Sequence, residues 1–324
     1  MNVERLIQTR SIHLLFLLPF ILAGIVLSRY YIGPPPVACR ENGALLLPFI
    51  ERHGDAPWLF FAGALWLLLH AYLLFFIVDR QEILARATVL PPLVYLLLTV
   101  GLYCRLGVSP YLLAATALVL SLHRLQQLIA RLHALAPVFD FGLLIALAVL
   151  LCPKLLLLLP WSLLVLLFSG RDALRDILVL LLGLLAASAF VAAIYFLLDD
   201  LPGALDRFQN ALHAGSRSIR GLSLATLIAL SLVAAITLVS IFRARLRASR
   251  GIVPRRRGVV ALLSLLFVLC LTPLLIPLHC RAYIFPLAVP LAYLHAGYFS
   301  SYRHRLLGRL LFLSLLLSSL LLLL

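Results

Sequence analysis

Three carboxylates, Glu41, Glu51 and Asp55, fall within one polar stretch, residues 33–57, between two long apolar runs. A carboxylate next to an acceptor hydroxyl serves as a general base, and it also holds a metal ion. Arginine is the natural complement, because its planar guanidinium grips phosphate oxygens through two parallel hydrogen bonds. Arg105 and Arg281 stand directly at the ends of apolar runs, as does Lys154, the one lysine in the chain. The chemistry these residues suggest is proton abstraction by Glu41, Glu51 or Asp55, with Arg105 and Arg281 on a phosphate. A plainer reading stands beside it: loop acids are solvated by default, and cations at the ends of apolar helices reach for head groups.

Other residues carry weaker signals. His70, His295 and Asp140 interrupt apolar runs. Ionisable groups at such depth mark function by default, though a histidine also serves as an interhelical hydrogen-bonding residue. Asp140-Phe141-Gly142 spells a kinase metal motif, but no glycine-rich loop or catalytic-loop partner accompanies it. No Cys-x-x-Cys spacing, phosphate-cradling glycine loop or serine nucleophile motif is present, so neither a metal nor a cofactor is expected. No compact catalytic motif surrounds the three acids, and the sequence leaves open whether the chain is an enzyme.

What must position these residues is a membrane bundle. Of 324 residues 64% are hydrophobic and only 12% charged, with a mean hydropathy of +1.12. A soluble domain carries roughly 25% charged residues, so the solvent for this chain is lipid. The expected fold is all-α: one polytopic transmembrane domain over residues 1–324 with about eleven spans. In chain order these are Ile12–Ile32, Trp58–Val78, Ala87–Tyr103, Val108–Leu122, Val138–Leu151, Leu155–Ser169, Ile177–Leu198, Leu222–Phe242, Val259–Ile276, Ala282–Phe299 and Leu306–Leu324. The fifth and sixth form a tight pair hinged at Cys152-Pro153-Lys154, and residues 138–169 are alternatively a re-entrant hairpin. The first span is expected to be retained rather than cleaved.

Charge then orients the bundle. With the N-terminus in the cytoplasm, 18 of the 27 Lys and Arg residues fall on inner segments, seven of them in the basic loop at about 243–258. The positive-inside rule therefore favours a cytoplasmic N-terminus and an outer C-terminus. The long outer loops are about 33–57 and 199–221, and Leu205–Ile219 is expected to form an amphipathic surface helix. Cys39, Cys104, Cys152 and Cys280 fall on the outer side, where one or two disulfides are permitted. The arginines are spread between apolar runs rather than clustered with aromatics, so nucleic acid is not an expected partner, whereas membrane lipid is.

One pattern extends over roughly residues 60–200. It runs through Val78-Asp79-Arg80-Gln81-Glu82, Leu90-Pro91-Pro92 and Leu122-His123-Arg124-Leu125, then Phe139-Asp140-Phe141-Gly142, Cys152-Pro153 and Arg171-Asp172-Ala173-Leu174-Arg175. It resembles an uncharacterised family of polytopic inner-membrane proteins from Bacteroidota, a domain of unknown function, which implies location and fold. The order of Gly142, Pro153 and Arg171 to Arg175 is also distantly similar to multi-spanning polyprenyl-phosphate-dependent glycosyltransferases. That likeness implies a polyprenyl-phosphate-linked sugar as substrate at the outer face, with an acid in the first outer loop (Glu41, Glu51 or Asp55) as base and Arg105 or Arg281 on the phosphate. The soluble outer C-terminal domain common in that class is absent. The alternatives are a non-catalytic subunit or scaffold of a membrane assembly, and a transporter.

Overall fold

The computed structural model describes residues 12–32, 56–81, 89–130, 134–168, 173–213, 224–248, 253–276, 281–300 and 312–317. Every regular element among them is helical. In order they are α1 (Ile12–Ile32), α2 (Pro57–Gln81), α3 (Leu90–Leu106), α4 (Pro110–Ala130) and α5 (Ala136–Leu151). Then come α6 (Leu158–Leu167), α7 (Ala173–Leu197), α8 (Leu201–His213), α9 (Leu224–Ala248), α10 (Val253–Leu275) and α11 (Ile284–Ser300). Single 3-10 turns, Pro153–Leu155 and Arg281–Tyr283, precede α6 and α11. Five of these helices, α2, α4, α7, α9 and α10, are long and apolar enough to cross a membrane.

Local chemistry sets several boundaries. Pro91 and Pro92 occupy the first turn of α3 rather than breaking it, as proline suits a position whose N–H would lack a helical partner. Gly107 stops α3 with φ 65°, a left-handed conformation that side chains resist. α5 ends where Cys152 turns extended, and Pro153 then opens the 3-10 turn. The fourth apolar run continues as helix to Ala130, well past Leu122. The amphipathic surface helix begins earlier than its hydrophobic pattern suggested, at Leu201, and is described as far as His213.

α11 is the centre. Of its 17 residues 14 are buried, and it packs against α3, α4, α9 and α10. At the periphery, α7 and α9 turn Leu182, Leu185, Phe190, Leu238 and Phe242 outward. A soluble protein rarely exposes contiguous apolar patches of that kind, so the outer face of this bundle is built for hydrocarbon. α5 and α7 approach most closely through two glycines. A Cβ on Gly142 would strike the Leu180 carbonyl, and one on Gly183 the Phe139 carbonyl. Such small-residue contacts let backbones meet where burial of apolar surface gives no advantage.

The helix ends sort into two layers. Phe60, near the start of α2, stacks on Tyr103, near the end of α3. Tyr111 at the start of α4 meets Tyr283 edge-on, and the Tyr283 hydroxyl donates to the Leu269 carbonyl late in α10. The turn at Pro153–Leu155 packs on α8 and α10. These ends form what is here called the Tyr111 end. At the opposite, Arg124 end lie the α4–α5 connection, the last turn of α6 and the start of α10.

Candidate functional site

The Tyr111 end gathers most of the candidate cations. Arg105 lies in the last turn of α3, and the turn that begins at Arg281 packs on α3 and α4. Lys154 does not snorkel outward: it is fully buried, and its ammonium donates to the Leu212 carbonyl of α8 over 2.9 Å. That bond satisfies an orphan carbonyl at the C-terminus of α8, where a cation also complements the helix dipole. Arg207 of the same helix donates to the Asp200 carboxylate at 2.5 Å, which raises the guanidinium pKa, and its cation stands 5.7 Å from the Tyr195 ring centroid. Glu41, Glu51 and Asp55 lie outside the described residues, as do Cys39 and Cys280. Cys104 and Cys152 are buried and form no disulfide among the described residues.

Both buried histidines are spent on helix contacts, in two separate places. His70 lies between Tyr95 and Thr116, with ring nitrogens 2.9 and 2.5 Å from their hydroxyls. Thr116 also accepts from the Trp66 indole and donates to the Leu112 carbonyl. One tautomer satisfies every member. Tyr95 donates to Nδ1, and the Nε2 proton goes to Thr116. His295 is on α11, where Nε2 lies 3.1 Å from Thr237 of α9. The Thr237 hydroxyl already donates to the Val233 carbonyl, so His295 donates and Nδ1 is left an acceptor. The two histidines bond to different helices, His70 to α3 and α4 and His295 to α9. Asp140 pairs with Arg124 at 3.1 Å, joining α4 to α5.

A cavity lies between α6 and α10. It encloses about 640 Å³ and is lined by Ile129 of α4, by Leu157 to Phe168 along α6, and by Arg256 to Leu271 along α10. Trp161 is the hinge of this contact. Its indole N–H donates to Ser264 at 3.0 Å, and the Ser264 hydroxyl donates to the Ala261 carbonyl at 2.8 Å. With both polar groups satisfied, the floor is apolar. Phe168 and Phe267 leave one side open to the lipid-facing surface, being 82% and 67% exposed.

The groove has a polarity. α6 and α10 run antiparallel from the Trp161–Ser264 contact, so Phe168, seven residues along one, is level with Arg257, seven back along the other. Arg256 and Arg257 therefore close the groove at the Arg124 end, while Leu157, Val268 and Leu271 line its far end. α10 has no acid in its first turn, and neither arginine makes an ion pair among the described residues. An apolar trough ending in two free guanidiniums is the shape of an anionic amphiphile. The sequence reading missed this site because it depends on which helices become neighbours. The available signal was the triplet Arg255-Arg256-Arg257 opening a span beside an unusually short one.

No family model, curated protein or solved structure matches this chain.

Proposed function

We propose that the chain is an integral protein of a bacterial inner membrane that binds an anionic membrane lipid in the α6–α10 groove. The carrying observation is the groove itself: about 640 Å³ of apolar lining, closed at one end by Arg256 and Arg257. Arginine binds phosphate oxygens bidentately, and an apolar tail leaves bulk lipid for such a trough at little cost once the head group is held. The bundle crosses the membrane eleven times, with the N-terminus in the cytoplasm and the C-terminus outside. The asymmetry of 18 inner against 9 outer cations supports this orientation, and it makes the Arg124 end cytoplasmic. The role is one in envelope lipid or glycan metabolism.

Lipid extraction and native mass spectrometry of the purified protein test the reading. The wild-type chain should retain an anionic lipid. Val260→Trp, at a rim position already 56% exposed, should fill the groove and release it. Val239→Trp on α9, away from the groove, serves as the folding control. Retention of the same lipid by the V260W protein would defeat the reading.

A second reading is sugar transfer from a polyprenyl-phosphate donor at the outer face. It is favoured by the meeting of Arg105, the Arg281 turn and the start of α2 at one end, since the described chain resumes at residue 56, directly after Asp55. Glu41→Gln, Glu51→Gln and Asp55→Asn, assayed with a polyprenyl-phospho-sugar, separate it from lipid binding alone. One of the three should abolish transfer while leaving lipid in the groove.

A further inference from the structure

We infer that the occupant of the groove is a membrane lipid with a single chain in the trough and a doubly charged phosphate head, a phosphomonoester or a diphosphate. The inference rests on the reading that the groove holds an anionic lipid, and it names the class. The length of the trough and the charge at its mouth define that class.

The first is room. From Arg257 to Leu271 the groove follows 14 residues of α10, about 21 Å at the helical rise. A hydrocarbon chain advances roughly 1.2 Å per bond when extended, so a tail of this length needs about 17 bonds. That length fits one extended chain lying along the trough. The trough is also longer than half the hydrocarbon core, which is about 15 Å, so an occupant lies extended along it and reaches past the bilayer midplane.

The second is charge. Both Arg256 and Arg257 line the mouth, so two guanidiniums face one head group. Nothing in the lining is acidic, and the first turn of α10 supplies no carboxylate. Balancing two cations takes two negative charges. A phosphodiester head carries one, whereas a phosphomonoester carries about 1.5 to 2 at neutral pH and offers three acceptor oxygens. Two bidentate arginines match that acceptor set.

Binding to the full-length protein in nanodiscs of phosphatidylcholine tests this. The probes are geranylgeranyl phosphate (one chain, about 16 carbons end to end, close to the length of the trough), a two-chain phosphatidate and phosphatidylglycerol. The expected order is geranylgeranyl phosphate first and phosphatidylglycerol last, about tenfold or more apart. Arg256→Gln with Arg257→Gln should bring the two to parity, and V260W should weaken all three. If phosphatidylglycerol binds as tightly as the single-chain phosphate and V260W still weakens both, the inferred class is wrong and the lipid groove stands. If phosphatidate equals geranylgeranyl phosphate, the single-chain limit is wrong. If V260W alters none of them, the groove is not the site and the underlying reading falls too.

Discussion

Several buried polar side chains of this bundle bond across helices, and His70 illustrates how. In hydrocarbon an unmet donor has no water to turn to, so the imidazole recruits Tyr95 from α3 and Thr116 from α4. Interhelical hydrogen bonds in membranes are nevertheless worth only about 0.6 kcal/mol on average and roughly 1.7 at most, because the unfolded spans also find partners. Tyr95→Phe removes one donor and should lower stability by about 0.5–1.5 kcal/mol, read from thermal unfolding in detergent. His70→Ala also opens a cavity and should cost more. In a double-mutant cycle the two should couple, while Tyr95→Phe and Thr237→Ala, in separate clusters, should add. Additivity within the His70–Tyr95 pair would refute a stabilising hydrogen bond between them. The role of this histidine was legible from its depth in an apolar run. Its partners were not, since Thr116 is more than 40 residues away in sequence.

At the scale of elements, the sequence carried the apolar helices and concealed their packing. Apolar length shows which segments are helices, and a proline or a charge marks where they stop. That sufficed for the hinge at Cys152 to Lys154 and for a surface helix after the seventh span. It did not suffice for Lys154, whose expected escape to the head groups is blocked because α8 folds back over it. Nor did it reveal the groove, which arises because α6 has only 10 residues, about 15 Å of helix, beside the 23 of α10. Glycines behave likewise: Gly24 and Gly183 look alike in sequence, yet only Gly183 faces a neighbouring backbone. Gly183→Leu and Gly142→Leu should therefore push α7 from α5 and lower the unfolding temperature markedly. Gly24→Ala, with open space around it, should be neutral or gain up to about 1 kcal/mol from helix propensity. Equal losses at all three positions would mean that the close approach of α5 and α7 is unimportant.

For the whole molecule, the polarity of the surface is the governing fact. Large apolar side chains cover α7, α9 and the outer face of α10, while tyrosines, histidines and a lysine occupy the interior. Such a chain is stable only where hydrocarbon surrounds it, and the remaining question is which way round it stands. The helix ends answer half of it, since Arg207 and Lys154 belong to one layer and Arg124, Arg256 and Arg257 to the other. The arginine bias supports the orientation proposed above, because translocating a short, arginine-rich loop is strongly disfavoured. Cysteine substitution in a background lacking the native cysteines checks both together. A cysteine at His213 should react with a membrane-impermeant maleimide in intact spheroplasts. A cysteine at Arg256 should react only after the membrane is opened, and occupancy of the groove by its lipid should slow that reaction. The pair α5–α6 is the sensitive joint. If those helices fail to return the chain to the Arg124 end, every later loop inverts, the arginines between α9 and α10 face outward, and the two labelling patterns exchange. That exchange would overturn the orientation and move the phosphate end of the groove to the opposite leaflet, while leaving its length of about 21 Å unchanged.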